Sequence, residues 1–236
     1  MMYTLLVARL HGGSEEREIL ELFYRWLTPA EQERSDRFRR SDDRYRSLAA
    51  QLLVRWFYRN EAIDWQNDRM TGAHGKPFLN TRPDLCFNTA HSGHWVVAAF
   101  NSSPVGVDVE EVRPVNPELA ARYFTPDELK LFAKSKDSEP DVAFLRIWTL
   151  KEAYLKFTGS GLTRSLRSFS VVPEKDYYVI EGNGKDFDPA PAVELIEMND
   201  SERVFIAGCT VKKDLPAQVS KMKIDESLLQ EIKSGK

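Results

Sequence analysis

The sequence predicts an α+β fold made of two similar α/β subdomains in tandem, related by a pseudo-twofold axis, with a site at their interface. A helix-opening signal, Thr28-Pro29-Ala30-Glu31, returns as Thr125-Pro126-Asp127-Glu128. In each copy threonine is a candidate N-cap, proline takes the first helical position and glutamate completes a capping box. A long apolar-periodic helix and a strand-turn-strand unit follow each copy. The seam between two such halves is a natural cleft for a ligand.

The long helices are predicted at residues 45–58 and 144–157, where apolar side chains recur at helical spacing. The first hairpin is predicted from strands at 85–88 and 95–100, with a turn around His91-Ser92-Gly93. The second is predicted from 192–197 and 203–211, with a turn at Asn199-Asp200-Ser201.

These elements divide the chain into three parts, with Pro104 at the joint between the halves. We expect an N-terminal half at 1–103 and a C-terminal half at 104–211. Residues 212–236 form a lysine-rich, polar tail with a short amphipathic stretch at 224–232, and we expect a loosely held peripheral helix there without a function of its own.

Composition favours a soluble globular protein, because 42% of the 236 residues are hydrophobic and 29% are charged. The net charge of −3 provides no basic field for nucleic acid or a membrane. Cys86 and Cys209 lie in apolar runs and are expected to be buried thiols, not a disulfide or a zinc site. The sequence shows neither a signal peptide nor an apolar run of about 20 residues, so a cytoplasmic location is expected.

The segment Val105-Gly106-Val107-Asp108-Val109-Glu110-Glu111 alternates as a strand does. Asp108 and Glu110 therefore share a face, with their side chains rooted about 7 Å apart. Carboxylates this close repel unless a cation lies between them, and Mg²⁺ prefers oxygen ligands. Glu111 points the other way or lies past the strand end, so it is left out. The alternative is an edge strand with a solvated acidic face.

A second pattern lies in the second long helix, where Trp148, Glu152 and Lys156 are each four residues apart and share one face. Gly159 and Gly161 then allow the helix to end and the chain to approach a partner closely. The alternative for Glu152 and Lys156 is an ordinary surface ion pair. Trp148 is expected to pack the helix against the seam.

Together, G-V-D-V-E at 106–110 and W-T-L-K-E-A-Y-L-K with its following glycines at 148–161 resemble the signature pair of the 4′-phosphopantetheinyl transferases. The larger pseudodimeric class, which activates surfactin-type peptide synthetases, is the most similar. Gly75-Lys76-Pro77 and Phe87-Asn88-x-x-His91-Ser92 extend the resemblance over nearly the whole chain.

This resemblance implies an enzyme that moves 4′-phosphopantetheine from coenzyme A to a serine of an apo acyl, peptidyl or aryl carrier protein, releasing adenosine 3′,5′-bisphosphate. Asp108, Glu110 and Glu152 are the implied ligands of Mg²⁺, or of Mn²⁺ in its place. The expected catalytic set is Asp108, Glu152 and Lys156. Glu152 would accept the serine proton directly or through water, and Lys156 would stabilise the departing phosphate.

The resemblance also implies which residues hold coenzyme A: Lys76, His91, Arg34, Arg46 and Ser47. Lys76 is the only lysine among the first 103 residues and lies in a turn, and arginine suits phosphate because its fork bonds two oxygens. Without the family context, a lone histidine such as His91 is more often simply solvated, and the arginines near 37–46 alternate with aspartates as on an ion-paired helix surface.

The chain departs from the family pattern at two positions. Glu31 stands where relatives often carry lysine, and Ala90 stands where they often carry serine. Each change removes a possible phosphate contact, so both positions bear on coenzyme A affinity.

Three other functions are alternatives to the transferase. They are a non-catalytic module that binds coenzyme A or a carrier, a different metal-dependent phosphotransferase or phosphohydrolase, and a purely structural protein. The intact Asp108, Glu110, Glu152 and Lys156 argue against the first, and the missing P-loop and nucleophilic-Asp motifs argue against the second.

The carrier is expected to dock either on the region after the first hairpin or on residues 124–136. There, Phe124, Leu129, Leu131 and Phe132 are either an exposed apolar patch or core residues, and Lys130 and Lys134 would meet an acidic carrier helix. One chain supplies both sides of the cleft, so a monomer is expected. The acceptor pathway, whether fatty acid, polyketide or nonribosomal peptide synthesis, stays open.

Overall fold

The computed structural model of this protein contains two β-sheets packed face to face, and helices cover the outer side of each sheet. The structure describes residues 2–116, 118–135, 139–182, 190–199 and 202–234. The mixed α/β composition agrees with the predicted class. Within those ranges, none of the helices has the length and apolarity needed to span a lipid bilayer.

The strands, in chain order, are β1 (Thr4–Arg9), β2 (Arg69–Thr71), β3 (Pro77–Leu79), β4 (Cys86–Ser92), β5 (Trp95–Asn101), β6 (Gly106–Glu111), β7 (Phe169–Pro173), β8 (Tyr178–Gly182), β9 (Pro191–Asn199), β10 (Arg203–Val211) and β11 (Gln218–Met222). The α-helices are α1 (Ser14–Tyr24), α2 (Pro29–Asp36), α3 (Ser41–Phe57), α4 (Trp65–Asp68), α5 (Leu119–Tyr123), α6 (Pro126–Ser135), α7 (Pro140–Thr158) and α8 (Glu226–Ser234).

The first sheet has the strand order β11-β1-β5-β4, and the second has the order β6-β10-β9-β8-β7. In the first sheet β1 is antiparallel to β5 and parallel to β11. In the second sheet every neighbouring pair is antiparallel. Strands β2 and β3 form a separate small hairpin.

Alternation along the strands divides the apolar residues among three clusters, because successive side chains point to opposite faces of a sheet. On β1, Leu6 and Ala8 face the helices of the first half, while Leu5 and Val7 face the second sheet. Helices α6 and α7 cover the other side of the second sheet. The central cluster therefore joins the two halves through their sheets.

Both predicted capping boxes are confirmed. The Thr28 N–H donates to the Glu31 carboxylate at 2.9 Å, and the Glu31 N–H donates to the Thr28 hydroxyl at 3.3 Å. Thr125 and Glu128 repeat the arrangement at 2.8 and 3.4 Å. The long helices α3 and α7 begin at Ser41 and Pro140, earlier than predicted. The first turn of α3 is polar and carries no apolar periodicity, whereas α7 begins with proline at its first position and already buries Val142 and Ala143.

Both predicted hairpins form, as β4–β5 and β9–β10. In the first, His91 pairs with Val96 and Ser92 with Trp95, so both are strand residues and the turn lies at Gly93 and His94. Placing His91 in the turn was therefore wrong. In the second, Asp200 and Ser201 of the predicted turn lie outside the described residues.

The C-terminal segment is integrated into the first half, contrary to the expectation of a loosely held tail. Strand β11 extends the first sheet, and Leu228 and Leu229 of α8 are 3% and 5% exposed in the first core. The Trp56 indole N–H donates to Glu231 of α8 at 2.6 Å. The helix predicted from the amphipathic stretch at 224–232 is confirmed as α8, but its apolar residues pack into the first core, so the expectation that it is loosely held was wrong.

Candidate functional site

The candidate site forms where α7 crosses β6, and Gly106 allows the two elements to touch. A Cβ at Gly106 would lie 2.2 Å from the Ala153 carbonyl oxygen and 2.2 Å from the Phe157 nitrogen. The helix backbone therefore packs directly on the strand. This contact sets Glu152 and Lys156 of α7 beside the acidic residues of β6.

Asp108 lies deepest in the site and is 6% exposed. Its Oδ1 accepts a hydrogen bond from the Lys156 ammonium at 2.7 Å, and its buried Oδ2 has no hydrogen-bond partner among the described residues. Desolvation raises the pKa of Asp108 to about 7; Lys156 opposes the rise, and the charges of Glu110 and Glu152 add to it. Burial thus outweighs the ion pair.

Glu152 is half-buried on α7 and belongs electrostatically to the same group. Burial raises the pKa of Glu152, Lys156 lowers it, and Glu110 raises it further. The predicted carboxylates and Lys156 therefore share one neighbourhood. Trp148, which also lies on α7, instead packs against Tyr123 and Phe144 in the second core and not at the seam.

Glu110 is held by residues from both halves. Its Oε2 accepts hydrogen bonds from the Ser92 hydroxyl at 2.8 Å and from the Arg113 guanidinium at 2.5 Å. Ser92 also accepts the Glu111 N–H at 3.3 Å. Glu111 itself turns away and accepts the backbone N–H of His94 at 2.9 Å, which agrees with leaving it out of the metal set.

The oxygens of the three carboxylates are chemically suitable ligands for a divalent cation, but their present spacing is wide. They are hard oxygen donors, and the buried Asp108 Oδ2 is an acceptor with no partner in the described part of the chain. Their ligand atoms do not all lie within 4.8 Å of one another, a spacing that, among the described residues, only His94, Glu111 and Glu202 reach. In that second group, Glu202 already accepts hydrogen bonds from Nη2 of Arg9 at 2.7 and 2.9 Å.

A cavity of about 350 Å³ opens beside this group, between the turn at 74–77 and the end of α7. Glu152 and Lys156 line it together with Lys76 and the glycines that follow the helix. Gly159 ends α7 with a φ of 68°, a left-handed conformation that favours glycine. The predicted glycine termination is confirmed, and it opens the cavity at the helix end.

Lys76 joins the two halves. Its ammonium donates to the carbonyl oxygens of Val105 and Phe157, both at 2.8 Å. Burial lowers its pKa to about 8. The side chain lines the cavity, but its head is largely committed to backbone oxygens, and its predicted contact with coenzyme A stays a prediction.

The other predicted cofactor residues lie on the first half. Arg46 donates to the Gly93 carbonyl at 2.9 Å and to Asp43 at 2.5 Å. His91 is solvent-accessible, yet local desolvation, followed by the charges of Arg46 and Lys156, lowers its pKa. Ser47 is half-buried on α3, and Arg34 is exposed on α2, away from these contacts.

Glu31 has a structural role in this protein. It is 4% exposed and accepts hydrogen bonds from Arg55 at 2.7 Å and Arg69 at 2.8 Å. A lysine here would meet these two arginines. Glutamate at this position is therefore complemented by the two arginines that contact it.

Sequence reasoning missed three contributors: Ser92 and Arg113 on Glu110, and the buried pair of Lys151 with Glu128. The Lys151 ammonium donates to Glu128 at 2.5 Å and to the Phe169 carbonyl at 2.7 Å. Glu128 was visible as a capping residue, but its partner lies 23 positions further along the chain. No local pattern signals such a pairing.

Comparison with known proteins identifies the family. Models described as "4′-phosphopantetheinyl transferase, N-terminal" and "4′-phosphopantetheinyl transferase superfamily" match residues 14–103 and 104–202. The 4′-phosphopantetheinyl transferases Sfp of Bacillus subtilis (strain 168) and ffp of Bacillus subtilis are 33% and 30% identical, each over 88% of this chain and over 92% and 91% of their own lengths. The Thermotoga maritima holo-[acyl-carrier-protein] synthase structure overlaps 47% of this chain and 64% of its own, with a TM-score of 0.36 and 21% identity. This chain therefore belongs to the 4′-phosphopantetheinyl transferase superfamily.

Proposed function

We propose that this protein transfers 4′-phosphopantetheine from coenzyme A to a serine hydroxyl of an apo carrier protein. The observation that carries the proposal is the meeting of Asp108, Glu110, Glu152 and Lys156 at the edge of a cavity of about 350 Å³. The match of this chain to 4′-phosphopantetheinyl transferases over most of its length supports it.

Asp108, Glu110 and Glu152 would hold the metal, with Mg²⁺ as the proposed ion. A divalent cation held there would neutralise negative charge on the diphosphate of coenzyme A. The serine oxygen forms a bond to the β-phosphorus, and the bond from that phosphorus to the bridging oxygen breaks. Adenosine 3′,5′-bisphosphate leaves with that oxygen.

Lys156 would stabilise negative charge on the leaving group, and Glu152 would accept the proton of the serine hydroxyl. The Lys156 ammonium lies at the mouth of the site and would stabilise the departing phosphate. Glu152 would accept the serine proton, directly or through water. Lys76, His91, Arg46, Ser47 and Arg34 would bind coenzyme A from the first half; of these, Lys76 lines the cavity.

The two halves, 1–103 and 104–211, are proposed to be pseudo-twofold repeats. Strands β1-β5-β4 and β6-β10-β9 have the same order, and in each set the first strand is antiparallel to the second strand of the hairpin. The two family models also meet between residues 103 and 104. Because both sides of the cleft come from one chain, we propose a monomer, and the cytoplasmic location stays a prediction.

The acceptor side is proposed to lie on α6. Phe124 and Phe132 are 0% and 7% exposed, so they belong to the second core and do not form an exposed patch. Lys130 and Lys134 are exposed and remain candidates to meet an acidic carrier helix. Leu129 and Leu131 are partly buried against the second core.

Charge reversal tests this docking face. Lys130→Glu or Lys134→Glu should raise KM for the carrier several-fold and leave KM for coenzyme A unchanged, because only the carrier would touch α6. Lys223→Glu, beyond the far edge strand β11, is the matched control. An unchanged carrier KM in both α6 variants would place docking elsewhere.

Intact-mass analysis tests the reaction itself. An apo carrier protein is incubated with coenzyme A, Mg²⁺ and this protein, with Glu152→Gln and metal-free reactions as controls. The carrier should gain the mass of one phosphopantetheine only in the complete reaction. If carriers of several classes gain no mass while the protein binds coenzyme A, the chain is a binding module and the proposal fails.

A further inference from the structure

Arg113 lies just beyond the end of β6 and contacts the acidic group from outside. Its guanidinium donates to Glu110 at 2.5 Å, to the Ser92 hydroxyl at 3.4 Å and to the Glu111 carbonyl at 3.3 Å. The side chain is 51% exposed, against 13% for that of Glu110. The cation of Arg113 therefore covers the solvent side of a half-buried carboxylate.

Two positively charged side chains each pair with one carboxylate of the acidic group. Lys156 pairs with Asp108 at 2.7 Å and Arg113 pairs with Glu110 at 2.5 Å. With these pairings in place, the ligand oxygens of the three carboxylates do not all lie within 4.8 Å of one another. Each pairing reduces the repulsion that would otherwise arise among acids at this depth.

Arg113 and Ser92 both contact Oε2 of Glu110, so a divalent ion that binds this oxygen would compete with Arg113. The ion needs a carboxylate lone pair, and at contact distance it repels a guanidinium bound to the same oxygen. Arg113 can leave more easily than Lys156, because it is the more exposed of the two and follows the strand end. Once displaced, it remains within a side chain's length of whatever the ion holds.

We propose that Arg113 is an internal counterion, displaced from Glu110 when a divalent cation binds, whose freed guanidinium then binds phosphate oxygens of coenzyme A. The inference rests on the proposed function, because coenzyme A supplies the diphosphate. Arginine suits this second position, since its planar fork forms paired, charge-assisted hydrogen bonds with phosphate. One side chain would thereby neutralise the site before the substrate arrives and hold the substrate afterwards.

The first test measures cation binding without coenzyme A. Mn²⁺ is titrated into the metal-free protein and followed by electron paramagnetic resonance, for wild type, Arg113→Gln and Arg113→Lys. Removing the competing charge should tighten Mn²⁺ binding by Arg113→Gln about 2- to 5-fold, the range of an exposed ion pair. Arg113→Lys should remain close to wild type. Unchanged or weaker Mn²⁺ binding by Arg113→Gln would overturn the counterion role.

The second test measures coenzyme A binding at saturating Mg²⁺ by calorimetry. Arg113→Gln should weaken coenzyme A binding about 10-fold or more, the size expected for hydrogen bonds to charged groups, with Arg113→Lys between the two. Arg167→Gln, an exposed arginine of the same half, is the matched control. The opposite signs of the two effects separate this role from a purely structural one, which would weaken both ligands, and thermal unfolding of each variant checks the fold.

Unchanged coenzyme A affinity with a raised carrier KM would overturn the phosphate role and assign Arg113 to acidic groups of the carrier. The outcomes are distinguishable from failure of the proposed function. If wild type neither binds coenzyme A nor modifies a carrier, the proposed function falls, while the Mn²⁺ comparison still reports on Arg113.

Discussion

At the scale of single residues, burial decides the behaviour of the acidic group. Asp108 has an ammonium 2.7 Å away, a contact that alone would lower its pKa, yet desolvation raises that pKa to about 7. Near neutral pH, a proton therefore competes with any cation for the same oxygen. Metal binding and proton release are linked at this residue.

This linkage predicts that divalent-cation affinity depends on pH. Asp108 must lose its proton to bind the ion, so affinity should fall about tenfold for each unit below pH 7 and level off above it. Glu152, whose pKa is also raised, can only steepen the fall. Mn²⁺ titrations from pH 5.5 to 8.5 check this expectation; a flat profile would show that Asp108 is not protonated in the metal-free protein.

At the scale of secondary-structure elements, the direct packing of α7 on β6 creates the site. Gly106 is the point of contact, and the helix backbone fills the space that a side chain would need. A second contact holds the opposite side of α7, where the Lys151 ammonium donates hydrogen bonds to Glu128 of α6 and to a backbone carbonyl of β7. The position of Glu152 therefore depends on both faces of its helix.

Gly106→Ala should separate the helix from the strand. Its Cβ would meet backbone atoms that cannot rotate away, so we expect a loss of about 1–3 kcal/mol of stability and a marked loss of Mn²⁺ binding. Urea unfolding and Mn²⁺ titration measure the two effects. Gly13→Ala, with open space around its Cβ, is the matched control. Wild-type Mn²⁺ affinity in Gly106→Ala would contradict the dependence of the site on this contact.

Lys151→Met should destabilise the second half strongly. Both side chains of the pair are almost fully buried, so the substitution leaves the Glu128 carboxylate without its partner, at an expected cost of about 3–5 kcal/mol. Adding Glu128→Gln should recover part of the loss, because the charge is then removed as well. A complete double-mutant cycle, followed by urea unfolding, measures the coupling energy between Lys151 and Glu128. A loss of stability below about 1 kcal/mol for Lys151→Met would refute the expected strong destabilisation.

At the scale of the whole molecule, the chain returns to its beginning. After the second sheet it crosses back, adds β11 beside β1 and packs α8 on α1 and α3. The first core therefore contains residues from both ends of the sequence. The first half is complete only when the last residues of the chain are in place.

Leu228→Ala should accordingly destabilise the first half by about 2–5 kcal/mol, as expected for a large-to-small change in a core. Leu228 is 3% exposed, whereas Val219 on β11 is 42% exposed, so Val219→Ala serves as the control and should cost far less. Thermal and urea unfolding followed by tryptophan fluorescence measure the difference. Equal, small effects of both substitutions would support the peripheral tail that the composition suggested.

Features that follow short-range rules could be predicted from the sequence. Capping boxes, helical periodicity and strand alternation depend on residues a few positions apart, so Thr28, Thr125, α3, α7 and the hairpins could be predicted. The same rules placed Asp108 with Glu110 on β6 and Glu152 with Lys156 on α7. The motif resemblance added their family.

Only the tertiary structure decided which distant groups satisfy each other. Arg113 and Ser92 on Glu110, Lys76 on two backbone carbonyls, and Lys151 on Glu128 are contacts that arise when packed elements exclude water. Burial also decided the raised pKa of Asp108 and the place of the C-terminal segment. These outcomes depend on desolvation and on packing between elements far apart in the chain, and local sequence patterns encode neither.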